Sequence, residues 1–331
     1  MTRREALRIT AVGGVALAFG GVLTREVLRR AGLQRVTETR PLLGTLVTMT
    51  AVHADGALAR EIVRSGFAEI ERLEGLLSRH APETAMARLN RVGFLDEAPE
   101  DLLLVLGRAG EIHRLSGGAF DPSVLPLLRL YEAGSTRGRI PGDEEIRRTR
   151  ALVGFDRVEV EGGHVRLPEG GALTLDGIAK GYVVDRAVAA LAAAGAERVM
   201  VDAGGDIASG GAGVGKEPWV VAIQDPIRQE RSAGRVRLAG EAVATSGDYM
   251  QAFTQDRRHH HILDPRTGRS PERTSSVSVV AATAMDADAL STALLVLGPD
   301  AGLALLARVP GAEGLVIDKD GTRHPSDGMS A

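Results

Sequence analysis

The 331-residue chain contains no cysteine. That excludes disulfides, thiolate zinc sites, a cysteine nucleophile and a lipid anchored through sulfur. Aromatic residues make up only 3%, too few for the stacking platforms that hold single-stranded nucleic acid. Lysine is almost as scarce. Lys180, Lys216 and Lys319 are the only three among 40 basic residues, so arginine is the default cation. The bias is compatible with codon usage, yet it marks Lys180 as a place where an ammonium, rather than a guanidinium, is wanted. The formal net charge is only −3. Because the arginines crowd at the N-terminal end, the remaining chain is mildly acidic, and nucleic acid is not an expected partner.

What is present is an apolar content of 44%, ample for a core. Residues 1–35 stand apart. Thr2-Arg3-Arg4-Glu5-Ala6-Leu7-Arg8 precedes an uncharged run from Ile9 to Leu23, followed by Thr24-Arg25. Twin arginines before a short, glycine-containing apolar stretch read as an export signal of the twin-arginine type. The run is shorter than the roughly 20 residues of a spanning helix. No A-x-A cleavage site is evident, so membrane association through an uncleaved residues 1–35 is left open. The expected location is the periplasm or the outer face of the cytoplasmic membrane. The domain proper is expected over residues 36–331.

Within it, Thr45 to Val52 alternates as a strand does, and Ala57 to Ser78 places Ile62, Phe67, Ile70, Leu73, Leu76 and Leu77 at helical spacing. Leu102–Ser116, Tyr182–Ala194, Ala287–Leu297 and Ala301–Arg308 read as further helices. Short strands are expected at 158–160, 164–167, 198–202, 219–223, 236–238, 243–245, 276–282 and 315–318. Their irregular order predicts an α+β fold, one large domain with a mixed sheet and packed helices. Gly210 to Glu217, GGAGVGKE, nearly matches a phosphate-binding P-loop. Glu217 replaces the metal-binding hydroxyl, however, and Pro218-Trp219-Val220-Val221 starts a strand, so the segment reads as a hairpin loop.

Three segments carry chemistry. Ala242 to Pro271 packs Ser246-Gly247-Asp248-Tyr249, three histidines and Asp264-Pro265-Arg266-Thr267-Gly268 into one stretch. His259 and His260 follow two arginines and are expected to face water. His261 differs, because Ile262 and Leu263 turn the chain inward after it, and an imidazole there can serve as a base. Leu173 to Tyr182 runs from a strand through Asp176-Gly177 into a helix, a turn that can meet a phosphate or simply be capped by Asp176. Asp288 and Thr292, four apart, share one helical face; that pair suits Mg2+, although taken alone it fits helix-end roles better.

In order along the chain, these segments resemble the ApbE family of Mg2+-dependent FAD:protein FMN transferases. The resemblance spans residues 38–318. It rests on Leu42-Leu43-Gly44-Thr45, Leu77-Ser78-Arg79-His80 with Leu89-Asn90, Gly118-Ala119-Phe120-Asp121-Pro122 and Asp176 to Tyr182. It continues through Asp202-Ala203-Gly204-Gly205-Asp206, Ser246 to Tyr249, His261 to Gly268 and Asp288 to Thr292.

The resemblance implies a periplasmic enzyme that splits the FAD pyrophosphate, attaches FMN to a threonine or serine hydroxyl of a target flavoprotein and releases AMP. Asp288 and Thr292 would hold Mg2+ together with the Gly177 carbonyl. Leu43, His80, Ala119, Phe120 and Asp121 would line the FAD site. Thr174 and Lys180 would border its phosphates, Ile262 would approach through its main chain, and His261 would be the catalytic histidine. The family usually carries methionine at the Leu43 position and often tyrosine at the His80 position. Many members have an acid at the Thr174 position, whereas here the acid is Asp176. Alternative expectations are hydrolysis of FAD to FMN and AMP, a non-catalytic envelope protein that carries flavin or metal, and a redox flavoenzyme.

Overall fold

The structure is a computed structural model that describes residues 32–211 and 218–329. It begins with a hairpin, β1 (Gln34–Leu42) and β2 (Thr45–His53), paired from Gln34↔His53 to Leu42↔Thr45. Leu43 and Gly44 form its two-residue turn, both at positive φ, 54° and 69°. Such a turn matches the twist of a hairpin, but it holds Leu43 in a region that side chains avoid. Gln34 and Arg35 therefore belong to the sheet, two residues inside the stretch set apart as a leader. The rest of that stretch, 1–31, lies outside the described residues, as do 212–217 of the P-loop-like segment.

A long helical excursion follows. Asp55 caps α1 (Gly56–Leu77) by accepting the Ala57 and Leu58 N–H groups, and one face buries Ile62, Val63, Phe67, Ile70 and Leu73. Thr84 caps α2 (Ala85–Val92), and Gly93 stops it at φ 87°. Then come β3 (Phe94–Leu95), α3 (Glu100–Leu115), α4 (Leu125–Thr136), α5 (Asp143–Arg150), β4 (Glu159–Glu161), β5 (His164–Arg166) and α6 (Ala179–Ala193). The second half holds β6 (Arg198–Ala203), β7 (Asp206–Gly210), β8 (Trp219–Gln224), β9 (Ser232–Leu238), β10 (Ala242–Gly247), β11 (Thr274–Ala281), α7 (Ala284–Leu297), α8 (Pro299–Leu306), β12 (Glu313–Asp318) and β13 (Arg323–Pro325).

Eight strands form one sheet in the order β1-β2-β6-β7-β10-β11-β12-β13. The α+β class holds. The sheet, expected to be mixed, is antiparallel at every described pairing: tight turns join β1 to β2 and β6 to β7, while helices, the β8–β9 ribbon and the loop after β10 make the longer connections.

Period-two alternation gives the sheet two apolar faces. Val199, Val201, Ala244, Val277, Val279 and Val316 face α1, α6 and α7. Met200, Ile207, Val243, Leu315 and Ile317 face the β8–β9 ribbon, whose Trp219, Val221, Ile223, Val236 and Leu238 cover them. Each large aliphatic side chain buried in this way contributes roughly 1.5–3 kcal/mol.

The crossing of α6 over α7 positions the site. A Cβ on Gly181 would lie 2.2 Å from the Ala284 carbonyl oxygen, so only glycine allows the two backbones this close. Asp185 of α6 accepts the Ala284 and Met285 N–H groups at 2.8 and 2.9 Å and caps α7 from the neighbouring helix.

Candidate active site

Where α6 and α7 meet the ends of β7 and β10, the chain forms a cavity of about 140 Å3. Ten of the residues singled out from the sequence line it: Ala119, Phe120, Asp121, Thr174, Gly177, Lys180, His261, Ile262, Asp288 and Thr292.

Local chemistry explains the approach of each. Thr174 donates its N–H to the Pro122 carbonyl (2.7 Å), and its hydroxyl accepts the Asp176 N–H (3.2 Å), which sets the turn into α6. Gly177 then passes so close to α7 that a Cβ there would sit 3.0 Å from Thr292 Oγ1. The Thr292 hydroxyl shares a 3.1 Å hydrogen bond with Ser246 Oγ, which in turn meets Ser291 Oγ at 2.8 Å. Asp288 Oδ2 accepts the Gly181 N–H at 3.1 Å.

Charge in this corner is unbalanced. Lys180 Nζ lies 3.3 Å from Asp206 Oδ2, and three carboxylates, Asp206, Asp288 and Asp202, surround that one ammonium. Asp206 and Asp288 are 1% and 5% exposed. Burial first, and then the Asp206 charge, push the Asp288 carboxyl well above the usual carboxylate range. Burial likewise raises Asp206, and lifts Asp202 to about 6. Asp206 Oδ2 also has no properly directed hydrogen bond.

A buried surplus of negative charge with an orphaned oxygen fits a bound divalent cation. Asp288, the Thr292 hydroxyl and the Gly177 carbonyl are the hard oxygen donors that Mg2+ takes, with water and phosphate completing its shell. Among the described residues no group of three His, Cys, Asp or Glu side chains forms a metal cluster, so only such a sparse, oxygen-based set is on offer.

The loop between β10 and β11 brings the imidazole. His261 N–H and Nδ1 both meet the Gln251 carbonyl, at 3.0 and 3.2 Å. A carbonyl only accepts, so Nδ1 carries the proton and Nε2 keeps its lone pair. Burial lowers the His261 pKa to about 4, which leaves the ring neutral at physiological pH.

His259 and His260 do not face water as expected. His260 is fully buried: Ser270 Oγ accepts its N–H and donates back to its carbonyl, while Nε2 meets the Pro271 carbonyl at 3.3 Å. His259 is half-buried, with its ring 6.1 Å from that of Tyr131. The returning 270–271 segment covers His260, and sequence spacing does not reveal it.

Leu43 and His80 do not line the cavity. The Leu43 N–H donates to Glu74 Oε1, near the end of α1, and His80 lies just beyond that helix, exposed. The adjacent Arg79 reaches the site instead, pairing with Asp176 at 2.8 Å. Asp121 is present but committed. Oδ1 accepts the Ser123 N–H and hydroxyl, and Oδ2 accepts the Phe155 N–H at 3.3 Å. Sequence reasoning named Asp206 and Ser246 only within longer motifs and gave neither a role in the site. The available signal was a carboxylate directly after two glycines at the tip of an otherwise apolar hairpin, and a serine ending a small-residue strand.

Fold and cleft together define a single α+β domain whose cleft joins apolar walls to a buried acidic corner holding one lysine. The chain belongs to the ApbE family, whose model matches residues 43–316. It is 32% identical over 301 residues to the FAD:protein FMN transferase of Vibrio cholerae, covering 86% of this chain and 89% of that protein. The protein of the same description from Escherichia coli K12 is 30% identical over 288 residues, covering 83% and 81%. Among solved structures, the ApbE protein of Thermotoga maritima superposes with a TM-score of 0.80 at 31% identity, covering 89% of this chain and 97% of that one. The Pseudomonas stutzeri flavinyl transferase ApbE, in its apo form, gives 0.78 at 29%, covering 89% and 95%.

Proposed function

We propose that this chain is an FAD:protein FMN transferase that uses Mg2+, joins FMN to a threonine or serine hydroxyl of an acceptor flavoprotein and releases AMP. The observation that carries the reading is the meeting of Lys180, His261, Asp288 and Thr292 in one cleft, in a chain whose relatives bear that description. Phosphoryl transfer asks for charge neutralisation and in-line placement more than for covalent help. Lys180 holds the pyrophosphate by charge, and Thr174 borders it. The neutral Nε2 of His261 takes the proton of the acceptor hydroxyl as its oxygen bonds to the FMN phosphorus. The bond from that phosphorus to the bridging oxygen breaks, and AMP leaves with the electron pair. Mg2+, held by Asp288, Thr292 and the Gly177 carbonyl, would neutralise charge on the phosphate oxygens. Export through residues 1–35, to the periplasm or the outer membrane face, is part of the same proposal; fractionation of cells carrying the full chain tests it.

The reaction is tested by incubating the full chain with FAD, Mg2+ and an acceptor domain carrying a D-G-x-[ST]-G-A-T segment. In-gel flavin fluorescence and AMP are then read together. Labelled acceptor with matching AMP is the expected result; AMP and free FMN without label would point to the hydrolase. His261→Ala should lower transfer by roughly 10²- to 10⁴-fold while leaving FAD binding intact. An unchanged rate at saturating FAD would remove His261 from the reaction.

A further inference from the structure

We infer that Asp206 is a positioning residue that holds the Lys180 ammonium away from Asp288, so that the Asp288 carboxylate stays available to the divalent cation. The inference rests on the metal-site reading above. Two buried carboxylates, Asp206 and Asp288, compete here for one ammonium. An ammonium seated on Asp288 would supply the positive charge that the cation must bring, so lysine and metal are rivals for that oxygen pair.

The structure resolves the rivalry in one direction. Lys180 pairs with Asp206 at 3.3 Å, and neither oxygen of Asp288 comes within ion-pair distance of it. Asp288 instead accepts the backbone N–H of Gly181. Asp206 is suited to its part because it is anchored at the start of β7 and is only 1% exposed. Its Oδ2 holds Lys180 by charge without a directed hydrogen bond. The ammonium protons that do not face Asp206 remain free to turn toward a phosphate. Lys180, with its side chain 24% exposed, reaches from the first turn of α6 into the cleft.

The test is a cycle of Asp206→Asn and Lys180→Met in the full chain, with Mn2+ as the metal probe, no FAD present and binding read by electron paramagnetic resonance. Asp206→Asn should weaken Mn2+ binding by roughly 10- to 100-fold, as loss of a partner just outside the ligand set does. It frees Lys180 to settle on Asp288. Adding Lys180→Met to that variant should restore most of the loss, and Lys180→Met alone should not weaken binding at all. Because Lys180→Met changes no residue of the buried hairpin, it carries the test even if Asp206→Asn misfolds.

Failure of the double variant to recover would make Asp206 a direct ligand and overturn the inference. Unchanged binding in Asp206→Asn, or weakened binding in Lys180→Met, would overturn it as well. Failure of the underlying reading looks different: the wild-type chain would show no saturable Mn2+ binding, or Asp288→Ala would bind as the wild type does.

Discussion

Two buried charge clusters lie on the same sheet, and their bookkeeping is opposite. At the end of β10, Asp248 is 1% exposed and stands between two cations, with Lys319 Nζ at 3.6 Å and Arg257 Nη1 at 3.8 Å. Ser275 donates its hydroxyl to Asp248 Oδ1 at 3.0 Å, and Lys319 also donates to the Arg257 carbonyl at 2.9 Å. One carboxylate is thus oversupplied with positive charge, and the cluster pins the two ends of the loop that carries His261. In the cleft the proportion is reversed, with Asp206 and Asp288 sharing Lys180 alone. Burial raises both carboxyls, but at Asp248 two cations and a hydroxyl oppose it, whereas Asp288 has only a share of one ammonium and the Gly181 N–H.

Asp288→Ala tests the contrast hardest. On the proposed reading Asp288 is a cation ligand, and its removal should cut transfer by about 10³-fold or more, with Mn2+ binding lost. The melting temperature should hold or rise, because an under-compensated buried carboxylate has gone. AMP release and thermal melting on one preparation read both effects. A large drop in melting temperature would mean that Asp288 is structural after all, and the contrast would collapse.

The matching change in the other cluster, Asp248→Asn, should behave in reverse. It leaves Lys319 and Arg257 without their shared carboxylate and should cost about 3 kcal/mol of stability, the lower end for a broken buried pair, because both cations keep access to water. Mn2+ affinity should stay within a few-fold of wild type, as judged by denaturant unfolding beside metal titration. Strong loss of metal binding with normal stability would count against the division. A finer probe is Gly177→Ala. Its Cβ would stand 3.0 Å from Thr292 Oγ1 and 3.4 Å from the Phe120 ring, so Thr292 must shift by a few tenths of an ångström. Transfer should fall roughly tenfold with little change in melting. A fully active variant would place the cation away from Thr292.

Much of the fold was legible because burial leaves a period. The alternation of β2 and the stripe on α1 were read near their true limits. Three helices, α2, α4 and α5, and four strands, β1, β3, β7 and β13, were not. α5, DEEIRRTR, buries only Ile146 and so shows no apolar stripe. Pro122 and Pro126 disguise the start of α4, whose cluster with Leu263 forms only in three dimensions. β1 is half polar and contains Pro41, which an edge strand tolerates. In the site, Asp288, Thr292 and Lys180 were legible because four-residue spacing and the turn into α6 place them on known faces. Asp206 was not, since its meaning comes from α6 crossing β7. His260 was misjudged because Ser270 and Pro271, ten and eleven residues on, are what bury it.

Those two neighbouring histidines carry the comparison into pH. Burial lowers His261 to about 4 and His260 to about 3 from the ordinary 6.5. A base must be unprotonated, so the rate should stay flat from pH 8 down to about 5 and fall only as pH drops through about 4. Stability follows a different window. The unfolded chain protonates both rings below 6.5 while the folded chain does not, so their contribution is complete above about pH 6.5 and is lost progressively on acidification. Asp185 and Asp202 oppose this, since burial raises each to about 6 and the folded state gains their protons first. The prediction is therefore a difference. His260→Gln should lose less stability than the wild type between pH 6.5 and 4.5, while its turnover profile is unchanged. Parallel melting curves for the two proteins, or an acid limb near 6.5 in the rate, would mean that these rings are far better solvated than their packing implies.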